Sequence, residues 1–259
     1  MPCKDSKLML NKRTEYMGKV FYSDSKDSLT IVEYEGAREV TVEDSRGNTF
    51  VVEIGNLKKS NVKNPYHPIV YGVGFIGVGE SKSVVSGKVT KPYKVWSHIM
   101  ERCYSEEYHS KHETYKDCKI CDEWHNFQNF AEWYEDNYYV IGNERMELDK
   151  DILYKGNKVY SPDTCVFVPQ GINSLFVKAN KLRGDLPIGV SRNRNSLIVS
   201  LSEYGKQKTI YGFNNPTEAF NTYKKHKEKY IREVAEKYKP HIPTKLHEAM
   251  LNYQVEITD

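Results

Sequence analysis

The sequence predicts a mixed α+β fold built from three units, and three observations carry that prediction. Short β-branched runs broken by turn residues fill the first third of the chain. Near Tyr93 the apolar residues switch to a helical period. The last third holds three strand-and-turn segments followed by one long helix with proline at its start. The expected units are a β-rich domain over 1–92, a middle domain over 93–180 and a sheet-plus-helix domain over 181–259.

In the first unit, Leu29-Thr30-Ile31-Val32 and Glu39-Val40-Thr41-Val42 read as strands. Ser45-Arg46-Gly47-Asn48 then supplies a turn before Thr49-Phe50-Val51-Val52. That spacing predicts a small barrel or curled sheet. The run from Asn56 to Pro68, with three lysines and two prolines, reads as a connector. It leads to Val70–Gly79, where glycines alternate with apolar residues. A phosphate-cradling loop needs a helix start behind its glycines, and the polar stretch Ser81–Pro92 offers none. The segment is therefore expected to be extended, its glycines allowing close backbone packing.

In the middle unit, Val95, Trp96, Ile99, Met100 and Cys103 recur at helical spacing and predict a helix over Lys91–Tyr104. A second, aromatic helix is expected to carry Trp124, Phe127, Phe130, Trp133 and Tyr134. Beyond it come Glu147–Asp151, a turn at Lys155-Gly156-Asn157, the segment Tyr160–Pro169, and a short helix containing Asn173. Four of the five cysteines fall here, at Cys103, Cys118, Cys121 and Cys165. Such soft ligands suit a structural zinc ion, with His125 as an alternative ligand. The competing reading is that they are core thiols.

In the last unit, Ile188–Arg192, Leu197–Leu201 and Lys208–Phe213 read as strands joined at Asn193-Arg194-Asn195 and Tyr204-Gly205-Lys206. Asn215 is placed to cap a helix whose first residue is Pro216, continuing to about Tyr238. Its lysine run, Lys224, Lys225, Lys227 and Lys229, reads as a solvated helix face.

Composition excludes several classes. The 259 residues hold 38 basic and 35 acidic side chains, and their net charge is only +3. Divided along the three units that charge is +3, −5 and +5, so a near-neutral total hides a basic end suited to a polyanion. No apolar run reaches the ~18 residues of a membrane span. The opening residues lack the apolar core of a secretory signal, and an odd cysteine number fits reducing cytoplasm. Twenty tyrosines favour wet, contact-making surfaces.

Gly189-Val190, the Leu197–Leu201 strand and Tyr211-Gly212-Phe213 with Thr217-Glu218-Ala219-Phe220 resemble the plant ethylene-response-factor (Apetala-type) DNA-binding domain over residues 187–238. The resemblance implies a three-stranded sheet lying in the major groove of double-stranded DNA with a helix behind it. It places Arg192 and Arg194 at base edges or phosphates, with Lys206, Lys208 and Tyr211 on the next hairpin.

Tyr93, Trp96, Met100, Arg102-Cys103, Tyr115, Ile120-Cys121, Glu123-Trp124, Phe127, Phe130, Leu148–Asp151, Tyr160–Cys165 and Asn173 resemble phage-encoded HNH endonucleases with a ββα-metal core of the treble-clef kind. In that family a histidine ending the first strand activates water, and one divalent cation steadies the phosphate. Here the histidine position falls within Asp149-Lys150-Asp151, the orienting asparagine becomes Thr164, and Asn173 matches the last position. The resemblance implies Asp149, Lys150, Asp151 and Asn173 as catalytic residues. Magnesium would sit on Asp149 and Asp151, and Lys150 would neutralise phosphate. It implies a phage protein of the host cytoplasm that binds DNA and cuts it. The rival expectations are a non-catalytic scaffold that binds a host protein such as a defence component, and a DNA-binding regulator.

Overall fold

The computed structural model describes residues 11–177, 185–257 and 259. The chain is mixed α+β and divides into two compact units, Met1–Asp136 and Asn137–Asp259. That division falls inside the segment expected to form the middle domain.

After a helical segment over residues 11–16, the first unit forms a meander of β1 (Val20–Tyr22), β2 (Ser28–Gly36), β3 (Glu39–Asp44) and β4 (Thr49–Val52). All neighbours are antiparallel, in the order β1-β2-β3-β4. The expected barrel is corrected to an open sheet, because the short strands β1 and β4 remain separate edges. One face is covered instead by α1 (Ile54–Lys58), whose Ile54 and Leu57 join Leu29, Ile31, Val40, Val42 and Phe50 in the core.

Val70–Gly79 is not extended throughout, as expected, but turns back at Val70–Gly74, with Tyr71 and Gly72 both at positive φ. Its glycines do serve close packing: a Cβ on Gly74 would lie 2.8 Å from the Trp96 ring. A two-stranded hairpin follows, β5 (Val84–Val85) and β6 (Lys88–Val89). Then comes α2 (Lys91–Tyr104), with α3 (Glu106–Lys111) behind it. The aromatic helix α4 (Phe127–Asn137) begins later than the sequence suggests, and Trp124 lies on a separate 3-10 turn, Asp122–His125. Asn126 breaks the two, its Oδ1 accepting from the Gln128 N–H at 3.0 Å as a cap does. Trp96 and Phe127 pack 5.5 Å apart, and the Trp96 indole donates to the Trp124 carbonyl at 2.7 Å.

In the second unit, β7 (Met146–Asp149) pairs antiparallel with β8 (Val166–Pro169), matching Asp149 to Val166 and Glu147 to Val168. The short helix α5 (Gln170–Asn173) follows at once. Further on, β9 (Val190–Asn193), β10 (Ser196–Glu203) and β11 (Lys206–Phe213) form an antiparallel sheet with β10 in the centre.

Asn215 then caps α6 (Pro216–Tyr238), its Oδ1 accepting from the Thr217 N–H at 2.8 Å. At 1.5 Å per residue this 23-residue helix is roughly 35 Å long. Its first half buries Ala219, Phe220 and Tyr223 against Val190, Leu197, Val199, Leu201 and Phe213 of the sheet. Its second half buries Ile231, Val234 and Ala235 against Val166, Val168 and Ile172 of the β7–β8–α5 segment. Leu246 and Met250 of α7 (Thr244–Leu251) complete that second core. Among the described residues no helix is long and apolar enough to cross a membrane.

Candidate functional site

The β7–β8–α5 segment carries the residues expected to be catalytic. Glu147 and Asp149 lie two apart on β7 and so share one face. The Asn173 side chain on α5 donates to Glu147 Oε2 at 2.6 Å, and Arg145 Nε lies 3.6 Å from Glu147 Oε1. Glu147 is the member that sequence reasoning missed. Its signal is the two-residue spacing from Asp149 on a strand.

Asp149 ends β7 in an Asx turn. Its Oδ1 accepts from the backbone N–H groups of Asp151 at 2.8 Å and Ile152 at 2.7 Å. Burial raises its pKa above the ordinary carboxylate value and the charge of Asp151 adds to that, outweighing those hydrogen bonds and Lys150. Lys150 is largely buried, its Nζ 3.5 Å from Asp151 Oδ2 and 5.8 Å from the centre of the Tyr160 ring. That position suits an internal counter-charge better than a phosphate grip. Thr164 closes a turn, donating from Oγ1 to the Val159 carbonyl at 2.7 Å. The structure thus brings Asn173 to Glu147, while Asp149, Lys150 and Asp151 cluster at the end of β7.

The four cysteines expected to hold zinc are reduced thiols. Cys103, Cys118 and Cys165 are buried, and Cys118 Sγ lies 3.9 Å from the Thr114 carbonyl. Burial pushes the Cys121 thiol up, and that of Cys165 to about 12. Among the described residues no three His, Cys, Asp or Glu side chains converge as a metal cage. His125 faces Tyr104, with Nε2 3.2 Å from the hydroxyl oxygen. Cys3 lies outside the described residues.

The sheet β9–β11 decides which of the expected DNA-binding residues can face a ligand together. Directly opposed residues of antiparallel strands project from the same face. Arg192 opposes Leu197, Lys208 opposes Leu201, and Lys206 opposes Glu203. Since Leu197 and Leu201 are core residues, these three basic side chains belong to the helix side of the sheet. Lys208 Nζ accordingly lies 3.4 Å from both Glu203 Oε2 and His226 Nδ1.

The opposite, open face carries Ser191, Ile198, Ser200, Ser202, Gln207 and Thr209. Tyr211, two residues beyond Thr209 on the same strand, joins them and is 66% exposed. No family model, curated protein or solved structure matches the chain.

Arg192 and Arg194 have a different setting from the one expected. With Asn195, Phe213, Asn214 and Pro216 they line a cleft of about 310 Å³ beside the start of α6. Arg194 holds a left-handed turn conformation at φ 53°. Both arginines thus flank the start of α6, whose first turn carries Glu218. The basic run on α6 is mostly spent internally. Lys224 donates to the Val255 carbonyl at 2.8 Å, while Lys229 and Arg232 pair with Glu233 and Glu228 one turn away.

Proposed function

We propose that the chain binds double-stranded DNA through the open face of β9–β11, and that β7–β8–α5 is an HNH-type nuclease centre with carboxylates in place of histidine. The observation that carries this reading is the helix α6, which holds a polar-faced three-stranded sheet on one half and an antiparallel ββα segment on the other. A recognition surface and a reactive segment on one rod keep a fixed spacing along a duplex. Hydroxyl and amide groups on the open face are donors and acceptors for base edges, and the cleft at the sheet's rim beside the start of α6, lined by Arg192 and Arg194, takes a flanking phosphate.

Magnesium fits the carboxylates of Glu147 and Asp149, because it takes one or two protein carboxylates and completes its shell with water and phosphate oxygens. When bound it supplies charge neutralisation at the scissile phosphate. Asn173 holds Glu147 in one orientation through its 2.6 Å bond. Asp149, its Oδ1 held by the N–H groups of Asp151 and Ile152, would offer its other oxygen to the cation.

A second reading has its own support. The backbone amides of Asp151 and Ile152 occupy Oδ1 of Asp149, and Asn173 is committed to Glu147, an arrangement that also suits a scaffold kept for binding alone. Nicking of supercoiled plasmid with magnesium separates the two. The nuclease reading expects nicking that Asp149→Asn and Glu147→Gln abolish while duplex affinity stays. Intact duplex binding without nicking in magnesium or manganese leaves a DNA-binding regulator, or a scaffold for a host protein.

A further inference from the structure

We infer that the β5–β6 hairpin of the first unit is a second DNA-contacting element, a cationic ribbon that enters the major groove of B-form DNA. Its tip is a tight turn with Ser86 at φ 50° and Gly87 at φ 74°, the paired positive values of a type I′ hairpin. Every residue from Val84 to Val89 is exposed. Val84, Val85 and Val89 are 48%, 53% and 57% accessible, an unusual concentration of bare apolar side chains on so short a ribbon.

The hairpin is anchored rather than loose. At its base the Thr90 N–H donates to the Ser83 carbonyl at 2.9 Å and the Thr90 hydroxyl to the Lys82 carbonyl at 2.9 Å. Gln128 on α4 clamps the entry, accepting from the Ser81 N–H at 2.9 Å and donating to the Ser81 carbonyl at 3.0 Å. Gly79 leaves the room for that clamp, since a Cβ there would meet Gln128 Oε1 at 2.3 Å. A ribbon fixed at its root and bare at its tip is preorganised to insert into a concave partner.

Charge selects the partner. From Ser81 to Met100 the chain carries Lys82, Lys88, Lys91 and Lys94 and no acidic residue. The first turn of α2, which begins as the hairpin ends, also lacks an acidic side chain, so its positive end is unopposed there. An anionic duplex complements both features. The major groove of B-DNA, roughly 12 Å wide, admits a two-stranded ribbon and lines it with thymine methyl groups that pack against apolar side chains. The deep, narrow major groove of A-form RNA does not admit one. The valines account for the apolar contact, and Lys82 and Lys88 for the flanking phosphates.

The inference shares the DNA ligand of the proposed function but rests on different residues, so the full-length chain tests them apart. With benzoylphenylalanine in place of Val85, the hairpin is expected to photo-crosslink to a B-form duplex. Lys82→Gln with Lys88→Gln is expected to weaken duplex binding tenfold or more near ~0.1 M salt, and to lower the slope of log affinity against log salt by about two. Double-stranded RNA should not compete. No crosslink with an unchanged salt slope overturns the inference, as does equal competition by the RNA. A hairpin serving a protein partner gives that first result. If Arg192→Ala with Arg194→Ala changes nothing while the crosslink persists, the hairpin stands and the sheet reading falls. A parent chain with no duplex affinity overturns both.

Discussion

Replacing Gly189 by alanine should pry the β9–β11 sheet from the helix that supports it. Gly189 precedes β9 with φ +75°, and a Cβ there would lie 2.0 Å from Tyr223 Cδ2 and 2.3 Å from Cε2. Its carbonyl also accepts from the Ser200 N–H at 2.8 Å, so the backbone cannot swing away without breaking a bond to the central strand. A left-handed alanine costs roughly 1–2 kcal/mol, and overpacking against a buried ring roughly 1–3 kcal/mol. Together they predict about 2–5 kcal/mol of destabilisation for Gly189→Ala, read as a lower urea midpoint by circular dichroism. The clash is specific to Tyr223, so Gly189→Ala with Tyr223→Ala should cost less than the two single changes added together, by about 1 kcal/mol or more. An unchanged midpoint, or strict additivity in the double variant, would refute the reasoning.

Two further outcomes test the cores of the two units. The buried Asp44 carboxylate accepts from the N–H groups of Arg46 and Asn48 and from the side-chain amides of Asn48 and Asn64. Burial pushes its pKa up, but those hydrogen bonds outweigh it and hold the carboxyl below the ordinary 3.8. A lowered folded pKa gives stability that is present above the unfolded value and lost as pH falls through the folded one. Asp44→Asn should therefore cost about 1–3 kcal/mol near neutral pH, with the difference shrinking below ~pH 3.8. Urea unfolding at both pH values checks this, and an equal cost at each would contradict it. Cys165, with its thiol near 12 and no solvent exposure, should resist iodoacetamide at ~pH 8 in the folded chain and react on unfolding. Mass spectrometry of the peptide gives the answer, and rapid native labelling contradicts the buried-thiol assignment.

Local signals were legible in the sequence where one residue type decides the geometry. The apolar period of Val95–Cys103 sets α2, Asn215 and Pro216 set the start of α6, and Tyr204-Gly205 sets the β10–β11 turn. Register was not legible. A strand shifted by one residue exchanges its faces. The irregular pairing between Leu197 and Val199, next to Gly212 at φ 93°, is invisible to alternation alone. That register is why Lys206 and Lys208 lie on the helix side and Thr209 and Tyr211 on the open one. The bond from Asn173 to Glu147 spans 26 residues and depends on α5 folding back over β7, so a motif read along the chain finds Asp149 and misses its neighbour. The expected barrel failed for a similar reason, since strand content does not reveal whether β1 and β4 meet.

Duplex binding by the chain, followed by fluorescence anisotropy across a salt series, decides whether this protein is a DNA binder. Saturable binding is expected, with log affinity falling linearly with log salt because several phosphates are contacted. Tyr211→Ala and the pair Arg192→Ala with Arg194→Ala should each weaken it, the arginine pair also lowering the slope by about two. Absence of saturable binding at low salt, or affinity and slope unmoved by all three substitutions, would show that β9–β11 is not a DNA-binding surface.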